Sequence, residues 1–336
     1  MKAKLLDENT INELVAVQSI EEVVEILEEN TYKDDLVELS TKYSGVELVN
    51  RAVELNFVKT MKKLSTFLPS KYNALLNLIL EEWTLNSLKL IIASKATGTP
   101  ITQSNYSAIT NEQEHIFELG KDADLDLRKT VKRLANFGTG YAKVFETINR
   151  NYLAKGQAQL EDFRIIYKEL DDYYYNKLGR AAESEKDPAV KALLLAKVDF
   201  VNSMTVARLM LAGVDKKEIQ ENLITASGRN RRAMHKLLEK ANTLEIVEEI
   251  VNTHKLDSSI TGGFKETNSL VKLEVELERK LMQKALRTSK VASLSFAVML
   301  AYIYLKQQEV AFLKAIAYST QAGISEEMKQ LVFAVK

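Results

Sequence analysis

The chain has 336 residues, 46% of them hydrophobic, and its 46 basic and 46 acidic side chains cancel to a formal net charge of zero. That length and apolar share can fill two or three cores, whereas the cancelled charge leaves no global field to draw the chain to nucleic acid or an anionic membrane. Cysteine is absent, which excludes disulfides, thiolate metal sites and cysteine nucleophiles together and fits a reducing compartment.

Only 12 glycines and 3 prolines interrupt a sequence rich in Leu, Ala, Glu and Lys, and no strand-like alternation is sustained, so the predicted fold class is all-α. The opening stretch MKAKLLDENT lacks the apolar core of a signal peptide. Ser19 with Glu22 forms a capping-box pattern before Val23, Val24 and Leu27. A helix follows over Thr84 to Gly98, and the next region, Lys132 to Tyr141, carries no clear box. A second helix runs from Asp199 to Gly213, and Asn242 with Glu245 repeats the capping pattern before Ile246, Val247 and Ile250. The polar stretch Ser258 to Asn268, with Gly262-Gly263 inside it, is predicted as a surface loop. Val291 to Leu305 is a 15-residue apolar run, shorter than the roughly 20 residues a membrane span needs, and is predicted as a core helix. The last helix runs from Glu309 to Gly323.

Three of these helices are copies of one pattern. Gly98, Gly213 and Gly323 stand 115 and 110 residues apart, and each closes a segment that aligns with the others without a gap. Counting back 14 residues from each glycine reaches Thr84, Asp199 and Glu309, and counting back 11 reaches Ser87, Asn202 and Phe312. Each glycine is followed by residues that suit a new helix start: Thr99-Pro100, Asp215 with Glu218, and Ser325 with Glu326 and Glu327. The glycines are therefore expected to end their helices in the left-handed conformation. Triplication predicts three helical repeats, 1–115, 116–228 and 229–336, related by pseudo-threefold geometry.

No catalytic constellation emerges from the residues. No Walker or dinucleotide fingerprint is present. His115, His235 and His254 show no metal-ligand spacing, so neither metal nor cofactor is expected. Adjacent carboxylates such as Glu81-Glu82 and Asp171-Asp172 point about 100° apart on a helix and read as solvated faces. The basic run Arg229, Arg231, Arg232, His235, Lys236 and Lys240 lacks aromatic interleaving, and reads as a solvated face or a contact for an acidic partner rather than a nucleic-acid helix. Of Tyr173, Tyr174 and Tyr175 only part can be buried on one helix, which leaves a ring for a partner.

The third copy contains Tyr302-Ile303-Tyr304-Leu305-Lys306, then Glu309-Val310, Leu313-Lys314, Gly323-Ile324 and Ser325-Glu326-Glu327. With Glu82-Trp83, Leu88-Lys89 and Lys95 in the first copy, and Glu28, Thr31 and Tyr32 near the N-terminus, this resembles the C subunit of archaeal and bacterial vacuolar-type (V/A-type) rotary ATPases, whose eukaryotic counterpart is the d subunit. The resemblance spans the chain and implies a funnel of three similar helical bundles. It implies a non-catalytic central-rotor component, one copy per complex, on the cytoplasmic side of the membrane. Its partners would be the central shaft subunits and the proteolipid subunits of the membrane rotor ring, with no nucleic acid.

Such a funnel would couple shaft to ring for H⁺ or Na⁺ transport linked to ATP hydrolysis or synthesis. The repeat-signature residues are Gly98, Asp199, Asn202, Gly213, Glu309, Lys314 and Gly323. Thr84 stands where the family pattern has an acid, Ser87 and Phe312 where it has asparagine, and Met204 where it has a base. The acid and asparagine lie three residues apart on one helical face, and tying the helix to its neighbours is the stronger reading of them than touching the shaft. The alternative to a rotor component is a free-standing helical scaffold or adaptor.

Overall fold

The computed structural model describes residues 5–99, 101, 116, 118–122, 124–136, 140–153, 163–224, 228–291, 295–326 and 329. Among these the chain is helical, with no strand. After α1 (Glu8–Ala16), a pair of short helices and a pair of long ones recur three times. The first series is α2 (Ile20–Glu28), α3 (Lys33–Leu39), α4 (Gly45–Phe67) and α5 (Asn73–Thr97). The second is α6 (Leu127–Ala135), α7 (Ala142–Ile148), α8 (Phe163–Ser184) and α9 (Pro188–Leu211), followed by short α10 (Lys216–Glu221) and α11 (Gly228–Glu239). The third is α12 (Thr243–His254), α13 (Ser259–Thr267), α14 (Val271–Val291) and α15 (Phe296–Gln321).

Local chemistry sets the starts of these series. The Ser19 hydroxyl accepts from the Glu22 N–H at 3.2 Å, and the Glu22 carboxylate accepts from the Gln18 N–H at 2.9 Å. Asn242 and Glu245 repeat this, at 3.0 Å for the cap and 2.9 Å for the return bond from the Ala241 N–H. The middle series has its cap too: Asp126 accepts from the Lys129 N–H at 2.7 Å. It escapes the sequence pattern because the third helical residue is a lysine, which cannot return the bond.

The ends match as well. Gly98, Gly213 and Gly323 have φ of 71°, 75° and 67°. Behind Gly213 the Val214 N–H reaches back to the Leu209 carbonyl at 3.0 Å, and behind Gly323 the Ile324 N–H reaches the Ser319 carbonyl at 2.9 Å, the six-to-one bond that closes a helix at a left-handed residue. The Gly98 corner is held by hydroxyls instead, with Ser94 donating to the Thr99 carbonyl at 2.6 Å and Thr97 accepting from the Thr99 N–H at 3.3 Å. A methyl group at any of the three would meet nothing within 4 Å, so backbone conformation and not space requires glycine there.

Two sequence expectations change. Ser258 to Asn268 is not a loop: Ile260 and Phe264, four residues apart, bury one face of α13, and that burial outweighs the glycine pair. Nor is Val291 to Leu305 one helix, because Val291 ends α14 with 84% of its surface exposed and α15 begins at Phe296. Among the described residues no helix is long and apolar enough to cross a membrane.

The chain divides into two compact units, one of residues 1–167 with 302–336 and the other of residues 168–301. In the first, α2, α3 and α4 pack together, Phe57 of α4 stacks on Trp83 of α5 with centroids 4.4 Å apart, and α6 packs on α7 and α5. In the second, α9 packs against α10, α11, α12 and α14 around Val206, Ile219, Leu237, Ile246, Ile250 and Leu273. Each such fully buried aliphatic side chain contributes about 1.5–3 kcal/mol. The long helix that completes the third series' core in this unit is thus α9, which belongs to the second series.

Candidate functional site

On α15 the three-residue spacing of Lys306 and Glu309 puts both on one face, and both are buried, with 1% and 8% of their surface exposed. The Lys306 ammonium donates to Glu309 Oε1 at 2.7 Å and to the Tyr32 hydroxyl at 2.9 Å. Tyr32 in turn donates to Glu309 Oε1 at 2.5 Å, and the backbone N–H of Leu6 donates to Oε2 at 2.6 Å. Burial, then the adjacent Glu309 charge, pushes the Tyr32 phenol well above its ordinary range, so it stays a donor. The same causes raise Tyr302 to about 12. A carboxylate with both oxygens occupied and its charge neutralised by a buried lysine acts as a clamp between the segments it joins.

Further along α15, Lys314 forms an ion pair with Glu54 of α4, whose side chain is buried. Beyond the helix, the buried Lys329 ammonium donates to the Val17 carbonyl at 2.8 Å and the Thr320 hydroxyl at 2.7 Å. Burial draws its pKa down. The C-terminal helix is therefore fastened at three levels to residues near the N-terminus.

In the second unit Asn202 is fully buried, and its side-chain amide imitates a backbone partner. It donates to the Ile224 carbonyl at 3.0 Å and accepts from the Ile224 N–H at 2.9 Å, clasping the stretch after α10 to α9. Asp199, one turn earlier, is half-buried on the wall of a cavity that also includes His254. The Ser87 hydroxyl at the first-copy position merely returns to the Trp83 carbonyl of its own helix at 2.8 Å.

The seven repeat-signature residues thus serve separate tasks within their units: Gly98, Gly213 and Gly323 turn the chain, Glu309 joins a buried ion pair, Lys314 pairs with the buried Glu54 carboxylate, Asn202 clasps a loop and Asp199 lines a cavity. Sequence reasoning singles out Glu309 and Lys314 but not their acceptors and donors. Tyr32 and Lys306 lie within the motifs it uses, while Glu54, Leu6 and Lys329 carry no local signal because their partners lie 260 to 312 residues away. Tyr174 and Tyr175 are buried, with ring centroids 4.9 Å apart, leaving Tyr173 the more open of the three. His115 lies outside the described residues, as do the side chains of Arg229, Arg231 and Arg232. Among the described residues no group of three or more His, Asp or Glu is arranged to hold a metal ion.

Caps and left-handed corners recur along this all-helical chain, and buried ionic ties fasten its last long helix to residues near the N-terminus. The family model described as ATP synthase (C/AC39) subunit matches residues 1–330, and the chain belongs to that family of A/V-type ATPase subunits, a structural and not the catalytic part of the enzyme. It is 26% identical over 340 residues to the C subunit of the A-type ATP synthase of Thermococcus kodakarensis, covering 98% of this chain and 86% of that one. With the same A-type ATP synthase subunit of Methanococcoides burtonii it shares 28% identity over 335 residues, 98% of this chain and 89% of the other. The corresponding protein of Methanosarcina acetivorans is 27% identical over 336 residues, 98% and 88% of the two chains.

Proposed function

We propose that this chain is the central-rotor coupling component of its ATPase, seated as a peripheral protein on the cytoplasmic side of the membrane between the central shaft and the proteolipid rotor ring. Its repeats, 1–115, 116–228 and 229–336, form three bundles about a pseudo-threefold axis, a funnel whose mouth holds one shaft while its base spans several ring subunits. One copy per complex suffices for that task. Torque passes through shape and many contacts, with no bond chemistry in this chain, during H⁺ or Na⁺ transport.

The observation that carries this reading is the recurrence of one helix order, each copy ending at a left-handed glycine, in a chain of this family. The buried ties of α15 support it, because an element that transmits torque must resist being pulled from its own fold. The test is a pull-down of the tagged chain from membranes of its source, with mass spectrometry of the bound proteins. Shaft and ring subunits together are the expected catch. Recovery of the chain with neither would favour a free-standing scaffold.

A further inference from the structure

The second unit contains a half-open cavity of about 410 Å³ between α9, the end of α12 and α14, with Asp199, His254, Lys255, Lys280, Lys284 and Arg287 on its wall. Lys280, Lys284 and Arg287 follow one another at spacings of four and three residues, a single stripe of α14. Lys255 is one of two non-glycine residues with positive φ among those described, at 54°, a conformation that glycine or asparagine would adopt at lower cost at a helix end. Four cations therefore face one carboxylate across this space. Among the described residues no carboxylate forms an ion pair with Lys255, Lys280 or Arg287.

The same position in the first unit is closed. Glu309, which aligns with Asp199, is neutralised by Lys306, and Tyr32 and Leu6 fill the space around it. In the second unit Ala196 stands where Lys306 would be, and the acid is one carbon shorter. The polar core of one unit has become, in the other, a pocket with surplus positive charge. Phe200, Leu277 and Leu281 give that pocket an apolar wall as well. Its volume falls in the range of sites for small organic ligands, roughly 300–1,000 Å³.

We propose that this cavity binds an organic polyphosphate of nucleotide size, its phosphates against the Lys280, Lys284 and Arg287 stripe and its organic part against Phe200 and Leu281. A multiply charged anion meets the surplus of cations, which a single carboxylate would not. The apolar wall selects for an organic group over free phosphate. His254 reports from inside the site: burial, then Lys284 and Lys280, hold its imidazole below the ordinary value, and Ser203 of α9 lies 3.5 Å from its Nε2. An anion beside it offsets the two lysines and raises that pKa. This inference stands apart from the coupling role, since it needs only the folded chain.

The experiment titrates the full-length chain with ADP, adenosine and inorganic phosphate by calorimetry at low salt, and follows the imidazole protons of its 3 histidines by NMR. ADP should bind more tightly than either fragment and raise the pKa of His254. Lys280→Glu should weaken ADP on the order of tenfold, while Lys217→Glu, an exposed lysine away from the cavity, should change it little. Failure of ADP to bind, or binding that leaves His254 unmoved, would overturn the proposal. So would inorganic phosphate binding as tightly as ADP, or equal weakening by Lys217→Glu.

Discussion

At aligned positions of two copies, Glu309 in the first unit is sealed by Lys306, Tyr32 and Leu6, whereas Asp199 in the other unit borders an open cavity beside His254. The unit that holds Asp199 ties its helix elsewhere, through the Asn202 clasp on Ile224, at a position where the third copy has Phe312. One inherited pattern has thus been stabilised by a buried ion pair in one place and by neutral hydrogen bonds in another. Where the tie is ionic, the chain is committed to keeping every member of the network; where it is neutral, the neighbouring acid lines a cavity instead.

The largest effect is expected at Glu309. Glu309→Ala leaves the Lys306 ammonium buried without its counter-charge and should cost about 3–5 kcal/mol, read from urea unfolding. The double variant Lys306→Met with Glu309→Leu should cost clearly less than Glu309→Ala alone, because both charges go together. Asn202→Ala strands the N–H and carbonyl of Ile224 in the core and should cost about 1–3 kcal/mol, the neutral counterpart of the same experiment. Gly213→Val and Gly323→Val should each cost about 1–3 kcal/mol, and nearly equally, since the two corners share their bond pattern and open surroundings. Unequal shifts in unfolding midpoint would show that the two corners are not equivalent.

The smallest effect is in pH dependence. Folding lowers the His254 pKa from the ordinary 6.5, so the unfolded chain binds the proton more readily. This contribution to stability is complete above about 6.5 and is lost as pH falls from there through the folded value. His254→Gln should flatten the loss of stability on acidification in that window, measured by thermal unfolding across a pH series.

Helix class, the three corners and two of the three caps are legible in the sequence because each depends on residues within a turn or two of one another. The Asp126 cap is hidden by Lys129, which breaks the reciprocal pattern without breaking the cap. α13 reads as a loop because a glycine pair and polar neighbours mask Ile260 and Phe264, whose burial is a tertiary matter. In the polar clamp only Lys306 with Glu309 is local. The bonds to Leu6, Tyr32 and Glu54 join opposite ends of the chain, and helical periodicity carries no information on which distant face a residue meets. The exchange of α9 into the core of α12, α13 and α14 is invisible for the same reason.

The coupling role is tested most directly in vesicles reconstituted from the purified ATPase with and without this chain, with ATP hydrolysis and ion uptake recorded together. With the chain present, uptake should follow hydrolysis; without it, the catalytic head should keep turning over ATP while uptake collapses. Ion uptake that stays coupled to hydrolysis in its absence would contradict the coupling role.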